Sequence, residues 1–186
     1  MEKEIKKTLA SRTKNYLPDQ RLRRAAVLIP LFKKNGEYHI LLTKRTEKVK
    51  HHKGQISFPG GRQDQKDPNL LATALREAEE EMGIAPKDVE LLGELDDFCT
   101  ASTDFCISPF VALIPYPYPF RVNPHEIAEV IEAPLSALRR ESQMRQEIFL
   151  SEGEPFLVYF YQYQGYTIWG ATARILKEFL DILPNS

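Results

Sequence analysis

The sequence lacks several features that would assign it to a specialised class of protein. Its 186 residues include two cysteines, Cys99 and Cys106, which are too few to indicate a disulfide framework, and we expect two half-buried thiols beside strands. No run approaches the roughly 18 consecutive apolar residues that span a bilayer. Residues 1–14 lack the apolar region of a signal peptide. We therefore expect no membrane association and a cytoplasmic location.

The sequence also lacks an excess of either charge. It has 25 basic and 26 acidic residues, a formal net charge of −1, which gives no general attraction to nucleic acid or acidic membranes. The absence of a broad basic face argues against an RNA-binding role, including a decapping-like one. No repeat or composition break divides the chain. We predict a helical extension over residues 1–20 and one domain over residues 21–186.

Hydrophobic periodicity predicts strands that alternate with a few helices. Residues 24–32 and 38–43 form a hairpin around Asn35-Gly36. The clearest helix covers residues 69–82, with Asp67-Pro68 at its start and Gly83 at its end. Further strands are predicted at 89–95, 106–115, 147–150 and 156–163, and further helices at 134–140 and 171–183. This pattern indicates an α/β or α+β domain with a mixed sheet flanked by helices.

The predicted helix ends in an acidic cluster. Glu77, Glu80 and Glu81 lie three and four residues apart and share one helix face, whereas Glu79 points elsewhere. Three like charges near a helix C-terminus repel one another and meet an unfavourable helix dipole. A hard divalent cation reverses that penalty, because Mg²⁺ prefers carboxylate oxygens, water and phosphates. The cluster therefore predicts a Mg²⁺ or Mn²⁺ site, with a solvated acidic face as the alternative.

The stretch from Gly61 to Ile84 resembles the signature of the Nudix hydrolases, G-x5-E-x7-R-E-U-x-E-E-x-G-U, in which U is aliphatic. The second half matches in register at Arg76, Glu77, Ala78, Glu80, Glu81, Gly83 and Ile84. In the first half Asp67 stands in the place of a glutamate, and the gap to Arg76 is one residue longer. The resemblance implies a Nudix-like α/β/α sandwich with a central mixed sheet. It also implies that Arg76 braces the glutamates.

A second stretch resembles the coenzyme A pyrophosphatase branch of that superfamily, L-L-T-x-R-[S/A]-x3-R-x3-G-x3-F-P-G-G. It runs from Leu41 through Arg45 and Gly54 to Gly61 in an unbroken register. Thr46 replaces a serine or alanine, and Lys50 replaces an arginine, which keeps the charge but loses the planar fork that grips phosphate. The closing segment, residues 168–176, is also similar to that branch.

These features together predict hydrolysis of a phosphoanhydride bond. A basic segment that includes Arg45 and Lys50 suits the flanking phosphates, and the backbone of Gly60 and Gly61 suits close approach to the metal or a phosphate. Glu77, Glu80 and Glu81 are the predicted metal ligands. Glu77, Arg76 and Glu80 are the predicted catalytic residues. The general base stays open among four acids: Glu77, Asp104, Glu126 and Glu129.

The resemblance implies coenzyme A or an acyl-CoA as substrate, with 4′-phosphopantetheine and adenosine 3′,5′-bisphosphate as products. Two alternatives stay open. One is a Nudix hydrolase of another nucleoside diphosphate derivative, such as ADP-ribose or a dinucleotide polyphosphate. The other is a catalytically silent nucleotide-binding module. The expected partner is a small nucleotide rather than a nucleic acid or a membrane, and the oligomeric state stays open between monomer and homodimer.

Overall fold

The computed structural model describes residues 1–17, 21–48, 52–100, 104–151 and 153–184. The helices are α1 (Glu2–Ser11), α2 (Leu70–Met82), α3 (Leu135–Leu138) and α4 (Gly170–Ile182). The strands are β1 (Arg23–Lys34), β2 (Glu37–Arg45), β3 (Ile56–Ser57), β4 (Gly60–Arg62), β5 (Glu90–Glu94), β6 (Phe98–Cys99), β7 (Phe105–Leu113), β8 (Ile127–Pro134), β9 (Met144–Ser151), β10 (Glu154–Tyr163) and β11 (Tyr166–Trp169). Across these ranges, no helix combines the length and apolarity needed to cross a membrane.

The strands form a large mixed sheet and a small antiparallel one. In the large sheet the order is β3-β2-β1-β7-β5, β1 runs parallel to β7, and β4, β6 and β8 pair with β1, β7 and β2. The predicted hairpin of β1 and β2 is confirmed, with Leu31 opposite Ile40. The small sheet has the order β11-β10-β9. The hydrogen bonds of β1 on both sides place it at the centre of the fold.

Alternating side chains of the central strands pack into two separate apolar cores. Ile29 and Leu31 of β1 face one core, which α1, α4 and the small sheet complete. Ala26 and Leu28 face the other, which α2 closes with Ala74, Ala78 and Met82. Because side chains alternate along a strand, a strand buried on both faces separates two helical layers. The predicted α/β/α sandwich around a mixed sheet is therefore confirmed.

Helix α1 packs into the body of the protein. Ile5 and Leu9 are buried in the same core as Phe179 of α4, and Leu9 lies over Gly93 of β5, where any larger residue would meet it. The division into an extension at residues 1–20 and a domain at residues 21–186 stays a prediction.

Helix α2 begins and ends with strong local signals. The Asn69 side chain accepts a hydrogen bond from the Ala72 N–H (2.9 Å), and Gly83 adopts the left-handed conformation (φ 69°) at the other end. The prediction that Asp67 caps this helix is wrong by two residues. The Asp67 carboxylate instead accepts hydrogen bonds from Arg76 and Thr73 inside the helix.

The expectation of two free thiols is also wrong. Cys99 and Cys106 lie opposite one another on the antiparallel strands β6 and β7, and they form a disulfide. The two cysteines lie seven residues apart in the sequence. The pairing depends on the register of the two strands, which composition does not reveal.

A buried carboxylate, Asp97, joins the N-terminal segment to the large sheet. Its side chain is fully buried and accepts hydrogen bonds from the Ser108 hydroxyl (2.6 Å) and an Arg24 Nη2 (2.8 Å), while Lys14 Nζ lies 3.1 Å away. Burial raises the pKa of Asp97, but the Ser108, Arg24 and Lys14 contacts outweigh it and leave that pKa below its usual value. The charged form is thus the one that stabilises the fold.

We predict that Asp97→Asn lowers the free energy of unfolding by about 3 kcal/mol at pH 7, because it leaves two partly buried cations without their counter-charge. A depressed native pKa contributes stability above the unfolded value of about 3.9, and that contribution is lost as the pH falls through the native pKa. Urea unfolding at pH 7 and pH 3 should therefore show the difference between variant and parent shrinking with acid.

The matched control for this experiment is Asp181→Asn, which removes an exposed ion pair with Lys177 on α4. We expect a change of less than about 1 kcal/mol, since exposed pairs contribute little. Equal losses in the two variants, or a loss at Asp97 that does not depend on pH, would contradict this account.

Candidate active site

The Gly60–Gly61 turn lies directly against the end of α2. Gly60 has φ 156°, and a Cβ there would lie 2.3 Å from the carbonyl oxygen of Ala26 on β1. At Gly61 a Cβ would lie 2.5 Å from the carboxylate of Glu77. Glycine is required at position 60, because a Cβ there would meet the backbone of β1, whereas at position 61 a Cβ would meet only the movable end of the Glu77 side chain. The turn thus lies against the acidic face of the helix, and the Gly60 N–H donates to Glu81 there.

Glu81 is the most deeply buried acid of the cluster, with 2% of its surface exposed. Its Oε2 accepts a hydrogen bond from the Gly60 N–H (3.2 Å), and Arg45 Nη1 lies 3.5 Å from its Oε1. Burial raises the pKa of Glu81 to about 8, and the Gly60 and Arg45 contacts offset this only in part. The negative charge of this carboxylate is therefore poorly compensated by the protein itself.

Arg76 holds the remaining acids together. Its Nε and Nη2 donate to the two oxygens of Asp67 at 3.0 Å each, and its Nη1 donates to Glu77 (2.8 Å) and Glu80 (3.1 Å). Its Nη2 also reaches the carbonyl oxygen of Arg62 (3.2 Å). The hydrogen bonds from Arg76 hold the pKa of Asp67 well below its usual range. Arg76 thus contacts three of the acids, and the bracing role that the resemblance implies for it stays a prediction.

Glu77 accepts a hydrogen bond from Arg76 and also lies against Gly61 of the glycine turn. Burial raises the pKa of Glu77, the Arg76 hydrogen bond lowers it, and the charges of Glu80 and Glu126 raise it further. Glu79 and Glu80 are both exposed. The structure thus brings Glu77 and Glu81 together at the glycine turn and leaves Glu80 at its rim.

The segment from Arg121 to Ile127 packs on the C-terminal end of α2. The N–H groups of Arg121 and Asn123 donate to the carbonyl oxygens of Met82 and Glu81 (2.9 Å each), and the Asn123 amide donates to Glu126 Oε1 (3.2 Å). These bonds satisfy carbonyl groups that every helix end leaves open. They also position Glu126, whose charge raises the pKa of both Glu77 and Glu81.

The other two base candidates have different surroundings. Glu129 is exposed and accepts a hydrogen bond from the Tyr166 hydroxyl. Asp104 lies directly before β7, and its carbonyl oxygen accepts a hydrogen bond from the Arg23 N–H (2.8 Å). Of the three distant acids, Glu126 is the one whose charge raises the pKa of Glu77 and Glu81. Sequence reasoning could not choose it, because Asn123 and the docking of this segment carry no spacing signal.

Of the two basic residues predicted to bind substrate, the structure describes Arg45. Arg45 ends β2 with its guanidinium turned to Glu81, and its buried Nε has no hydrogen-bond partner among the described residues. Lys50 and its neighbour His51 lie outside the described residues. Sequence reasoning missed Arg62, which lines a cavity of about 370 Å³ together with Arg76 and Glu77. Its position directly after the Gly60–Gly61 pair was the signal available.

Within the described ranges, no three Asp, Glu, His or Cys side chains converge closely enough to hold an ion as they stand. Arg76 occupies the space between Glu77 and Glu80 through its hydrogen bonds to both. The donor chemistry nevertheless fits a hard divalent ion, because every candidate ligand is a carboxylate oxygen and Glu81 is a buried acid with little compensation.

Sequence comparison agrees with this geometry. The NUDIX domain family matches residues 22–150. The uncharacterized Nudix hydrolase NudL of Photorhabdus laumondii is 40% identical over 156 residues, which cover 84% of this chain and 82% of that protein. The protein of the same name from Yersinia pestis strain Pestoides F is also 40% identical, over 84% of this chain and 77% of its own. This chain belongs to the Nudix family.

Solved structures share the Nudix fold at low sequence identity. A MutT/nudix family protein from Enterococcus faecalis superposes with a TM-score of 0.59 at 18% identity, over 89% of this chain and 63% of that one. The C. elegans Ap4A hydrolase, solved as a binary complex, gives a TM-score of 0.52 at 18% identity, over 62% of this chain and 82% of its own. These likenesses concern the fold.

The two glycines of the turn should respond differently to a methyl group. We predict that Gly60→Ala lowers the free energy of unfolding by at least about 2 kcal/mol, because its Cβ meets the backbone of β1 and the positive φ is strained. Gly61→Ala should cost less than about 1 kcal/mol, since its Cβ meets the end of the Glu77 side chain. Denaturant unfolding of both variants measures the two losses in unfolding free energy. A larger loss for Gly61→Ala than for Gly60→Ala would refute this explanation of the two glycine contacts.

Proposed function

We propose that this Nudix hydrolase cleaves the diphosphate linkage of coenzyme A or an acyl-CoA. The observation that carries the proposal is the placement of the Glu77 and Glu81 carboxylates against the Gly60–Gly61 turn. There a bound ion has carboxylate oxygens as partners, and the Gly60 N–H holds one of them, Glu81, in place. The coenzyme A assignment is supported by the unbroken second signature from Leu41 to Gly61.

We assign Glu77, Glu80 and Glu81 as the ligands of Mg²⁺ or Mn²⁺. Glu81 brings a buried charge that the protein compensates poorly, and exposed Glu80 has room to turn from Arg76 toward an ion. Bound there, the ion supplies positive charge for the phosphates and lowers the pKa of a water molecule. Arg76 donates two hydrogen bonds to Asp67, and these contacts fix the position of Arg76 beside the acids at the end of α2.

Glu126 is the group we assign as general base. It is half-buried beside Glu77 and Glu81, and its orientation is fixed by the Asn123 amide. In the reaction a water oxygen bonds to one phosphorus of the diphosphate while the bridging P–O bond breaks. Glu126 takes the proton from that water, and the departing phosphate leaves with the bridging oxygen. Glu77, Glu129 and Asp104 are the alternatives for this role.

Three cations are assigned to the phosphates of the substrate. Arg45 lies at the inner side of the site, and its buried Nε has no hydrogen-bond partner in the part of the chain that the structure describes. Arg62 lines the cavity next to Glu77. The assignment of Lys50 to a phosphate rests on the sequence resemblance alone. Arginine guanidinium groups bind phosphate with two parallel hydrogen bonds, which suits a diphosphate held at a fixed angle.

Incubation with coenzyme A and Mn²⁺ or Mg²⁺, followed by mass spectrometry, should yield 4′-phosphopantetheine and adenosine 3′,5′-bisphosphate. We expect Glu81→Gln to lower the rate at least about 100-fold, a loss of about 2.7 kcal/mol of transition-state stabilisation. Glu79→Gln on the same helix turn, with an exposed side chain, is the matched control and should keep nearly full activity.

The same assay separates the competing functions. Turnover of ADP-ribose or a dinucleotide polyphosphate in place of coenzyme A would refute the substrate but keep the site. No metal-dependent product from any of these compounds would indicate a silent nucleotide-binding module and refute the enzymatic proposal.

The assignment of the base makes a separate prediction. Glu126→Gln should lower kcat at least about 100-fold with little change in KM, because it removes the proton acceptor and leaves the substrate contacts intact. Glu129→Gln, three residues further along the chain on β8, is the control and should retain kcat. A reversed pattern would move the role to Glu129.

A further inference from the structure

The segment that carries Glu126 is held from one side by Thr46, the residue that follows β2. Thr46 is buried, with 8% of its surface exposed. Its hydroxyl donates to the carbonyl oxygen of His125 (2.9 Å), and its N–H donates to the carbonyl oxygen of Glu126 (2.8 Å). These two bonds fix the backbone of Glu126 and of the residue before it, and they anchor this irregular segment to the end of a central strand.

The same segment is held from its other side by Asn123. The side-chain oxygen of Asn123 accepts the His125 N–H (3.1 Å), and its carbonyl oxygen accepts the Glu126 N–H (3.1 Å). The Asn123 N–H donates to the carbonyl oxygen of Glu81 at the end of α2 (2.9 Å). Asn123 therefore docks the turn that leads to Glu126 on the helix, and Thr46 docks it on the sheet.

Electrostatic repulsion explains why this turn needs two anchors. The charge of Glu126 raises the pKa of both Glu77 and Glu81, so the three carboxylates repel one another. A loosely held segment would relieve this repulsion by moving Glu126 into water. The group that donates to Glu126 Oε1, at 3.2 Å, is the Asn123 amide, which carries no charge. A neutral donor holds a carboxylate in place and leaves its negative charge free to accept a proton.

We propose that Thr46 and Asn123 are positioning residues, which together hold the Glu126 carboxylate beside the glutamates of α2. This inference rests on the proposed function, in which Glu126 takes a proton from water. Thr46 is also a position where this chain departs from its second signature, which has serine or alanine there. Serine can make the same side-chain bond to His125 and alanine cannot, so this anchor is a property of the chain rather than of the signature.

Two substitutions separate the Thr46 hydroxyl from the shape of the side chain. Thr46→Val keeps the shape and removes the hydroxyl, so it should lower kcat at least about fivefold with KM within about twofold of the parent value. Thr46→Ser keeps the hydroxyl and should retain kcat within about twofold. The matched control is Thr167→Val, which removes an exposed hydroxyl bonded to Gln162 and should leave both constants unchanged.

A second pair of substitutions separates the Asn123 amide from the turn that it forms. Asn123→Asp keeps an oxygen for the His125 N–H but loses the donor to Glu126, so it should lower kcat at least about tenfold, as should Asn123→Ala. If Asn123 served the turn alone, the aspartate variant would keep its activity. The control is Asn69→Asp, which adds the same charge and keeps the cap bond to Ala72. Circular dichroism should show every variant folded.

A double-mutant cycle shows whether the two residues act through Glu126. In the Glu126→Gln background, Thr46→Val and Asn123→Asp should each lower kcat by less than about a further twofold, because the group that they position is gone. Losses that multiply in full would overturn the proposal. The cycle with Asn123→Asp keeps the proposal testable should Thr46→Val fail to fold.

The parent chain separates failure of this inference from failure of the proposed function. No turnover of coenzyme A, ADP-ribose or a dinucleotide polyphosphate by the parent would refute both, as would full kcat in Glu126→Gln for the assigned base. Parent turnover that Thr46→Val and Asn123→Asp leave unchanged would refute the positioning role alone.

Discussion

The guanidinium of Arg76 donates hydrogen bonds to three carboxylates, Asp67, Glu77 and Glu80, and this one group sets the geometry of the acidic face of α2. Without it, four acids in one helix turn, near the unfavourable end of the helix dipole, would repel one another. Because Arg76 also binds the carbonyl oxygen of Arg62, it ties the helix to the strand that carries Gly61. The acidic face and the glycine turn are therefore parts of one rigid unit.

Glu81 is the exception within this unit, since it lies away from Arg76 and deep in the protein. It has the Gly60 N–H and a distant Arg45 contact as partners, and burial raises its pKa to about 8. Burying an acid with so little compensation costs stability unless something else supplies positive charge. A divalent ion shared with a diphosphate meets that need, and this links the packing of the helix to the proposed chemistry.

The sequence was informative where the signal is local. The periodicity of residues 69–82 and the glycine that follows predict α2 closely, and the Nudix resemblance places Arg76, Glu77, Glu80 and Glu81 in register. The strand β8 was missed because its exposed and buried residues alternate irregularly, and its pairing with β2 is a long-range contact. The Cys99–Cys106 bond depends on a strand register, which composition does not contain.

The distant parts of the site were not predictable for the same reason. Glu126 reaches the glutamates through the docking of Arg121 and Asn123 on the end of α2, and this contact joins segments about 40 residues apart in an irregular loop. Arg62 was visible as a basic residue after the glycines, but its neighbours in the cavity are set by the fold. The resemblance identified the residues of the helix, and the structure added their surroundings.

The central claim is that the glutamates of α2 hold a divalent ion. Titration of the protein with Mn²⁺, followed by electron paramagnetic resonance of the free ion, tests it without any substrate. The account predicts saturable binding by the parent chain and by Glu79→Gln, and binding weakened at least about tenfold in Glu81→Gln. Equal Mn²⁺ binding by the parent and Glu81→Gln would contradict it.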